Sequence, residues 1–427
     1  MIITPSKGLS GTVDVPGDKS ISHRAVMMGS IAQGETLIKN FLTGEDCLST
    51  MKCFMELGVT FDGPENGNLK VYGRGLHGLK EPGKVLDAGN SGTTMRLITG
   101  ILSGQNFFSV ITGDQSLTSR PMGRVIIPLT KMGAQIAGRK GNTLAPLGIR
   151  GENLKGIEYI SPVASAQVKS CIILAGLYAG GVTSVTEPFR SRDHTERMLK
   201  HFGCEIEVKG NTVSVQGGKV LKGSEITIPG DISSAAFLMV AASIVPGSDI
   251  TIRDVGSNPT RDGIIAALTR MGAHIELLNP RIINGEPISD IRVKSSGLRG
   301  TIIEGDLIPR MIDEIPVLAV AASVAEGETV VRDAAELKVK ESNRISAIVE
   351  ELKKFGVEID ELPDGFIVRP GNKLKGAEVD TRMDHRIAMA MTVAGMVSAG
   401  ETVINDAQCV NISFPGFYDV LKILGKE

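Results

Sequence analysis

The chain has 427 residues, of which 42% are hydrophobic and 22% charged, with a formal net charge of −2. That length suits two or three domains with full cores. The charge argues against general nucleic-acid binding, which needs a basic face, and the lack of Trp with only 4% aromatics argues against base-stacking platforms.

The five Cys (Cys47, Cys53, Cys171, Cys204, Cys409) are odd in number and form no Cys-x-x-Cys, which predicts a reducing compartment and no structural zinc. The six His show no metal-ligand spacing, so no metal is expected. Met1-Ile2-Ile3-Thr4-Pro5 shows no charged stretch before an apolar core, so no signal peptide is expected. The longest apolar stretch, near Ala235 to Val245, is too short to span a bilayer. The expectation is a cytoplasmic protein with no membrane or nucleic-acid partner.

One unit then recurs six times along the chain: a polar, small-residue tip, an apolar helix, a Gly, a short β-like run, and a second helix closing on Gly. The pattern predicts helices over 20–32, 91–103, 166–179, 233–245, 314–325 and 385–399, stopped by Gly34, Gly104, Gly180, Gly247, Gly327 and Gly400. Stretches such as Ala235-Ala236-Phe237-Leu238-Met239-Val240 are apolar nearly all round and belong inside a fold. The second helices end in Leu57-Gly58-Val59, Met132-Gly133-Ala134, Phe202-Gly203-Cys204, Met271-Gly272-Ala273 and Phe355-Gly356-Val357, with a degenerate copy at Ile423-Leu424-Gly425. The repeat is β-α-β-α-β-β and roughly 70 residues long. Val15-Pro16-Gly17-Asp18 and Ile228-Pro229-Gly230-Asp231 start matching segments half the chain apart. They predict two crossings between two lobes of three repeats, 18–228 and 1–17 with 229–427, with buried helices pointing their N-termini at a cleft and the crossings serving as a hinge.

Helix N-termini leave backbone N–H groups unpaired and carry partial positive charge, so gathered tips suit an anionic ligand. In the first tip Ser20 is the expected cap, with Lys19 and Arg24 adding mobile and forked charge; an ordinary solvated helix start is the plainer reading. Asn90-Ser91-Gly92-Thr93-Thr94…Arg96 offers a close-approach Gly, side-chain donors and a cation, or simply an Asn cap. Arg120 precedes Pro121 on a loop. Ser165-Ala166-Gln167-Val168-Lys169 is a donor-rich tip, and Ser191-Arg192-Asp193-His194 a charged loop. Lys338-Val339-Lys340-Glu341-Ser342-Asn343-Arg344 is dense in charge, as an exposed helix face also is. Arg386, after Asp384-His385, opens an apolar helix where it has no evident structural job. Asp313 and Glu341 are the carboxylates placed to accept protons in a cation-rich site, with charge balance as the alternative. Gly73-Arg74-Gly75-Leu76-His77-Gly78 matches a dinucleotide fingerprint, but Pro82-Gly83 follows where its helix should run.

Taken together, Pro16 to Arg24, Gly89-Asn90-Ser91-Gly92-Thr93, Ser119-Arg120-Pro121, Arg192-Asp193-His194-Thr195-Glu196, Lys340 to Arg344 and Asp384-His385-Arg386 resemble the enolpyruvyl transferases over nearly the whole chain. The resemblance implies an α/β fold of two lobes, each of three β-α-β-α-β-β repeats around buried helices, an inside-out α/β barrel. It implies transfer of the enolpyruvyl group of phosphoenolpyruvate to the 5-hydroxyl of shikimate 3-phosphate, by addition and elimination, on the way to chorismate and the aromatic amino acids. By the same resemblance, Lys19, Asn90, Gly92, Arg120, Gln167, Arg344 and Arg386 hold phosphoenolpyruvate. Lys19, Ser20, Arg24, Ser165, Gln167, Arg192, Asp313 and Lys340 hold shikimate 3-phosphate. Asp313 accepts the hydroxyl proton, and Glu341 with Lys19 handles the proton at the methylene carbon. No cofactor or metal is implied, the partners are the two small-molecule substrates, and the expected state is a monomer. Many relatives carry a Lys near 410–415, where this chain has Val410-Asn411-Ile412-Ser413-Phe414-Pro415. An enzyme acting on UDP-N-acetylglucosamine is the runner-up; it would carry Lys-Asn at the first tip and a reactive Cys before the Arg-Pro pair. A non-catalytic anion-binding scaffold is the alternative of another class.

Overall fold

The computed structural model describes residues 1–425. Six helices are buried along nearly their whole length: Lys19–Ile31, Gly92–Ser103, Ala166–Gly176, Ile232–Ile244, Ile315–Ser323 and His385–Gly395. The Ile232 and Ile315 helices are apolar on nearly every face and have little surface to offer water, while the Lys19 and Ala166 helices also bury polar side chains among their neighbours. None of the six is capped by the glycine expected beyond it except Gly92–Ser103, whose cap is Gly104. The others end at Ala32, Leu177, Val245, Val324 and Met396; Gly247, Gly327 and Gly400 instead take positive φ in the turns and bends that follow, and Gly34 does so at the start of the strand Gln33–Lys39.

The second helices do close on glycine. At Gly58, Gly133, Gly203, Gly272 and Gly356 φ lies between 83° and 103°. Each glycine N–H donates three residues back and the next N–H five residues back, as in Gly58 to Met55 O at 3.0 Å and Val59 to Phe54 O at 3.0 Å. This pairing satisfies the last carbonyls of the helix and releases the chain into the next strand. Gly425 departs from it, with φ −62°.

The repeat is cleanest between Leu86 and Arg150. Leu86–Asp87 pairs parallel with Phe108–Thr112 across the buried helix Gly92–Ser103. Phe108–Thr112 pairs antiparallel with Leu144–Arg150, which pairs antiparallel with Gln135–Gly138. Five sheets have four strands in this order; the sixth has three, Ile2–Ile3, Thr402–Ile404 and Glu378–Val379. The first strand is exchanged at both crossings. Ser10–Asp14 precedes the Lys19 helix but pairs with Asp249–Gly256, and Glu225–Thr227 precedes the Ile232 helix but pairs with Gln33–Lys39.

The chain forms two compact units. The first comprises Gly17–Ile228 with Ile283–Glu286; the second comprises Met1–Pro16, Pro229–Ile282 and the chain from Pro287 onward. Residues 283–286, expected with the second, are the turn between the neighbouring strands His274–Ile283 and Glu286–Lys294. Each unit has its own hydrophobic core.

Candidate active site

In the first unit the tips of three buried helices carry the expected residues. Asp18, not Ser20, caps the Lys19 helix: its carboxylate accepts the Ile21 N–H at 2.9 Å. Ser20 lies inside the first turn, and Lys19 Nζ sits 2.5 Å from Asp46 Oδ2. Arg24 is 3% exposed and donates to three neutral oxygens: Thr195 Oγ1 at 2.7 Å, Ser170 Oγ at 2.8 Å and Ser20 O at 2.9 Å. Burial, only partly offset by Glu196, pulls its guanidinium down to about 10.

Ser91, not Asn90, caps the second helix, accepting the Thr94 N–H at 3.1 Å. Asn90 instead accepts from Arg120 Nη2 at 2.6 Å and donates to Asp114 Oδ2 at 2.6 Å. Arg96 Nη1 donates to Gln167 Oε1 at 2.5 Å, and Gln167 Nε2 donates to Thr93 Oγ1 at 3.0 Å. A Cβ on Gly92 would stand 3.3 Å from Arg96 Nη1 and 3.6 Å from Arg120 Nη1, so the bare backbone there lies beside two guanidiniums. Ser165 caps the third helix, accepting the Val168 N–H at 3.4 Å, and Arg192 is half-buried on the following loop.

The second unit holds the other five residues, with Lys340, Arg344 and Arg386 around Asp313 and Glu341 on Arg344. Asp313 Oδ1 lies 3.3 Å from Arg344 Nη1, 3.4 Å from Lys340 Nζ and 4.0 Å from Arg386 Nε. Arg386 also donates to the Asp313 carbonyl at 3.1 Å, a structural job the sequence did not reveal. Arg344, 1% exposed, donates to Glu341 Oε2 at 2.5 Å and to Asp384 at 2.9 and 3.2 Å. Burial lowers the Arg344 guanidinium, but Asp384, Glu341 and Asp313 together raise it above the ordinary arginine range. Burial likewise opposes charge on Asp384, and Arg344 together with His385 more than offsets it, leaving that carboxyl below its usual value. Asp384 also caps the His385 helix, accepting the Arg386 N–H at 3.0 Å. A second buried cluster lies at the Ile232 helix, where Ser233 donates to Glu314 and Arg261 Nη2 donates to Ser233 at 2.7 Å.

Sequence reasoning assigned no ligand to Arg96 and passed over Asp46 and the carboxylate role of Asp384. Arg96 shares its tip with Asn90 and Gly92, a signal that was present; Asp46, in the acidic first turn Glu45–Asp46, carries none that points to Lys19. The absence of Lys at 410–415 falls on the 3₁₀ helix Ala407–Ile412, where Asn411 is exposed. Among the described residues no group of three His, Cys, Asp or Glu is placed to hold a metal ion, and no helix is long and apolar enough to cross a membrane.

These residues supply cations and oriented donors suited to anionic groups, with three carboxylates, Asp313, Glu341 and Asp384, among the cations of the second unit. Residues 3–421 match the family described as EPSP synthase (3-phosphoshikimate 1-carboxyvinyltransferase). The chain is 61% identical over 422 residues to a 3-phosphoshikimate 1-carboxyvinyltransferase of Desulforamulus reducens, covering 99% of this chain and 98% of that one. It is 61% identical to the protein of that name from Pelotomaculum thermopropionicum, over 97% of this chain and 96% of the relative. A solved EPSP synthase of Acinetobacter baumannii superposes with a TM-score of 0.88 at 48% identity, covering 99% of this chain and 97% of that one. The two-unit repeat fold, the charged tips and these relatives agree: the chain belongs to the EPSP synthase family.

Proposed function

We propose that this chain transfers the enolpyruvyl group of phosphoenolpyruvate to the 5-hydroxyl of shikimate 3-phosphate, releasing phosphate in the biosynthesis of aromatic amino acids. The observation that carries the reading at the site is Asp313, one carboxylate facing Lys340, Arg344 and Arg386, with Glu341 on the other terminal nitrogen of Arg344. In this reading the methylene carbon of phosphoenolpyruvate gains a proton, handled by Glu341 with Lys19. The 5-oxygen attacks the adjacent carbon and gives its proton to Asp313. The tetrahedral adduct then loses a methyl proton and expels phosphate, restoring the double bond. Lys19, Asn90, Gly92, Arg120, Gln167, Arg344 and Arg386 bind phosphoenolpyruvate; Ser20, Arg24, Ser165, Arg192 and Lys340, with Lys19, Gln167 and Asp313, bind shikimate 3-phosphate. Arg344 and Arg386 suit planar carboxylate and phosphate groups by their forked donors.

The reading places a cofactor-free monomer in the cytoplasm, and the five cysteines, all free and buried, suit a reducing compartment. Transfer to UDP-N-acetylglucosamine is not favoured: the first tip reads Lys19-Ser20 and no Cys lies between Cys53 and Cys171. The test is phosphate release from phosphoenolpyruvate with either acceptor supplied alone. Turnover is expected with shikimate 3-phosphate only; turnover with the other acceptor only would overturn the substrate assignment. Asp313→Asn, folded by circular dichroism, should lose at least about a hundredfold in kcat, and full turnover would remove the base assignment.

A further inference from the structure

Glu187 is 4% exposed and follows the strand Val182–Thr186. Its Oε1 accepts the Ser165 backbone N–H at 2.8 Å. Its Oε2 accepts Ser191 Oγ at 2.8 Å and the Ser191 N–H at 3.3 Å, and lies 3.0 Å from Lys169 Nζ. Lys169, 1% exposed, also reaches Glu196 Oε1 at 2.8 Å and the Ser191 carbonyl at 3.3 Å. One carboxylate therefore ties the cap of the Ala166 helix to the turn that leads into Arg192.

A buried ion pair of this kind adds little net stability over an apolar pair of equal volume, because desolvation offsets attraction. What it fixes is geometry: the backbone at Ser165 and at Ser191 cannot drift apart while both donate to the same carboxylate. Gln167, two residues along the same helix, is anchored separately by Arg96 and Thr93. The Glu187 link thus acts on one part of the tip and leaves the other to different partners.

We propose that Glu187 is a positioning residue for the shikimate 3-phosphate subsite, setting Ser165 and Arg192 against that substrate without touching it. The proposal rests on the functional reading above. It predicts a split between the two substrates that a merely structural role would not produce. Glu187→Gln removes the charge and trades one acceptor for a donor; Glu187→Asp keeps the charge but shortens the reach, and it carries the test should the amide variant fail to fold. Steady-state kinetics would be run with each substrate varied in turn, alongside calorimetric titration of shikimate 3-phosphate alone. The expected result is a rise of about tenfold or more in the KM and Kd for shikimate 3-phosphate in both variants, with kcat and the KM for phosphoenolpyruvate within about twofold. Unchanged constants, or KM values for both substrates rising together, would overturn it. Should the unsubstituted protein not turn over shikimate 3-phosphate at all, the functional reading itself falls; a working enzyme without the split removes only the role of Glu187.

Discussion

Arg24 and Arg344 are both guanidiniums shut away from solvent, yet one faces neutral oxygens and the other three carboxylates. Arg344 is electrically satisfied by its own unit, whereas the direct partners of Arg24 supply dipoles and no counter-charge, which suits a residue waiting for an anionic ligand. Between them in character is His23, fully buried, with Nδ1 2.6 Å from Thr50 Oγ1 and Nε2 without a partner. Burial first, then Lys19 and Arg24, push its pKa well below 6.5. Below pH 6.5 the unfolded chain therefore binds a proton that the native state refuses, so stability present above that pH is lost as the solution is acidified. Urea midpoints from pH 7 to pH 5 should fall more steeply for the parent than for His23→Asn, with a difference of at most about 1.4 kcal/mol per pH unit. Parallel slopes would mean that His23 titrates alike in both states. Gly92→Ala should act on binding rather than folding. Its methyl would enter the space 3.3 Å from Arg96 Nη1 while improving the helix start, so the KM for phosphoenolpyruvate should rise about fivefold with no loss of thermal midpoint.

Among the elements, helix ends separate what a sequence reveals from what it conceals. The five glycines closing the second helices were legible because a left-handed residue leaves a fixed signature of an apolar residue, Gly and a strand. Gly203 isolates that requirement: φ is 84° and nothing lies within 4 Å of where a Cβ would stand, so space is free and only the backbone objects. Gly203→Ala should cost about 1 kcal/mol by urea unfolding with kinetics unchanged. Gly100 is the opposite case, in mid-helix, where a Cβ would stand 2.3 Å from the Cys171 carbonyl and force apart the helices Gly92–Ser103 and Ala166–Gly176. The caps were harder to read. Asp18 and Ser20 are both good caps, and the choice falls to Asp18 because its backbone is the one that leaves helical geometry, at φ −56° and ψ 122°. Charged residues at apolar helix tips were visible because an apolar helix taken by itself gives them no reason to be there. Asp46, Asp384 and Glu187 were not, because their roles depend on partners brought near by tertiary folding: 27, 40 and 22 residues away for Lys19, Arg344 and Ser165 respectively.

For the molecule as a whole, the repeats and the duplication were legible in the recurring tips, while the exchange of first strands could be read only in part, from the matching Pro-Gly-Asp segments. The exchange bears on how the protein unfolds. The sheet around Gln33–Lys39 draws its outer strand, Glu225–Thr227, from within the first unit, and the sheet around Asp249–Gly256 draws Ser10–Asp14 from within the second. Every four-stranded sheet therefore lies inside one unit apart from Ile283 and Glu286, the strand ends at one turn of the second unit's sheet, and the apolar side chains divide into two cores. Leu174 lies at 0% exposure in the core of the first unit and Leu318 at 0% in that of the second. Each Leu→Ala change should remove about 3 kcal/mol from its own unit by leaving a cavity. If the units unfold independently, calorimetry of Leu174→Ala should show one component moved down and the other in place, and Leu318→Ala should move the complementary one. A single transition that shifts as a whole in both variants, with calorimetric and van't Hoff enthalpies equal, would show that the two crossings bind the units into one cooperative system.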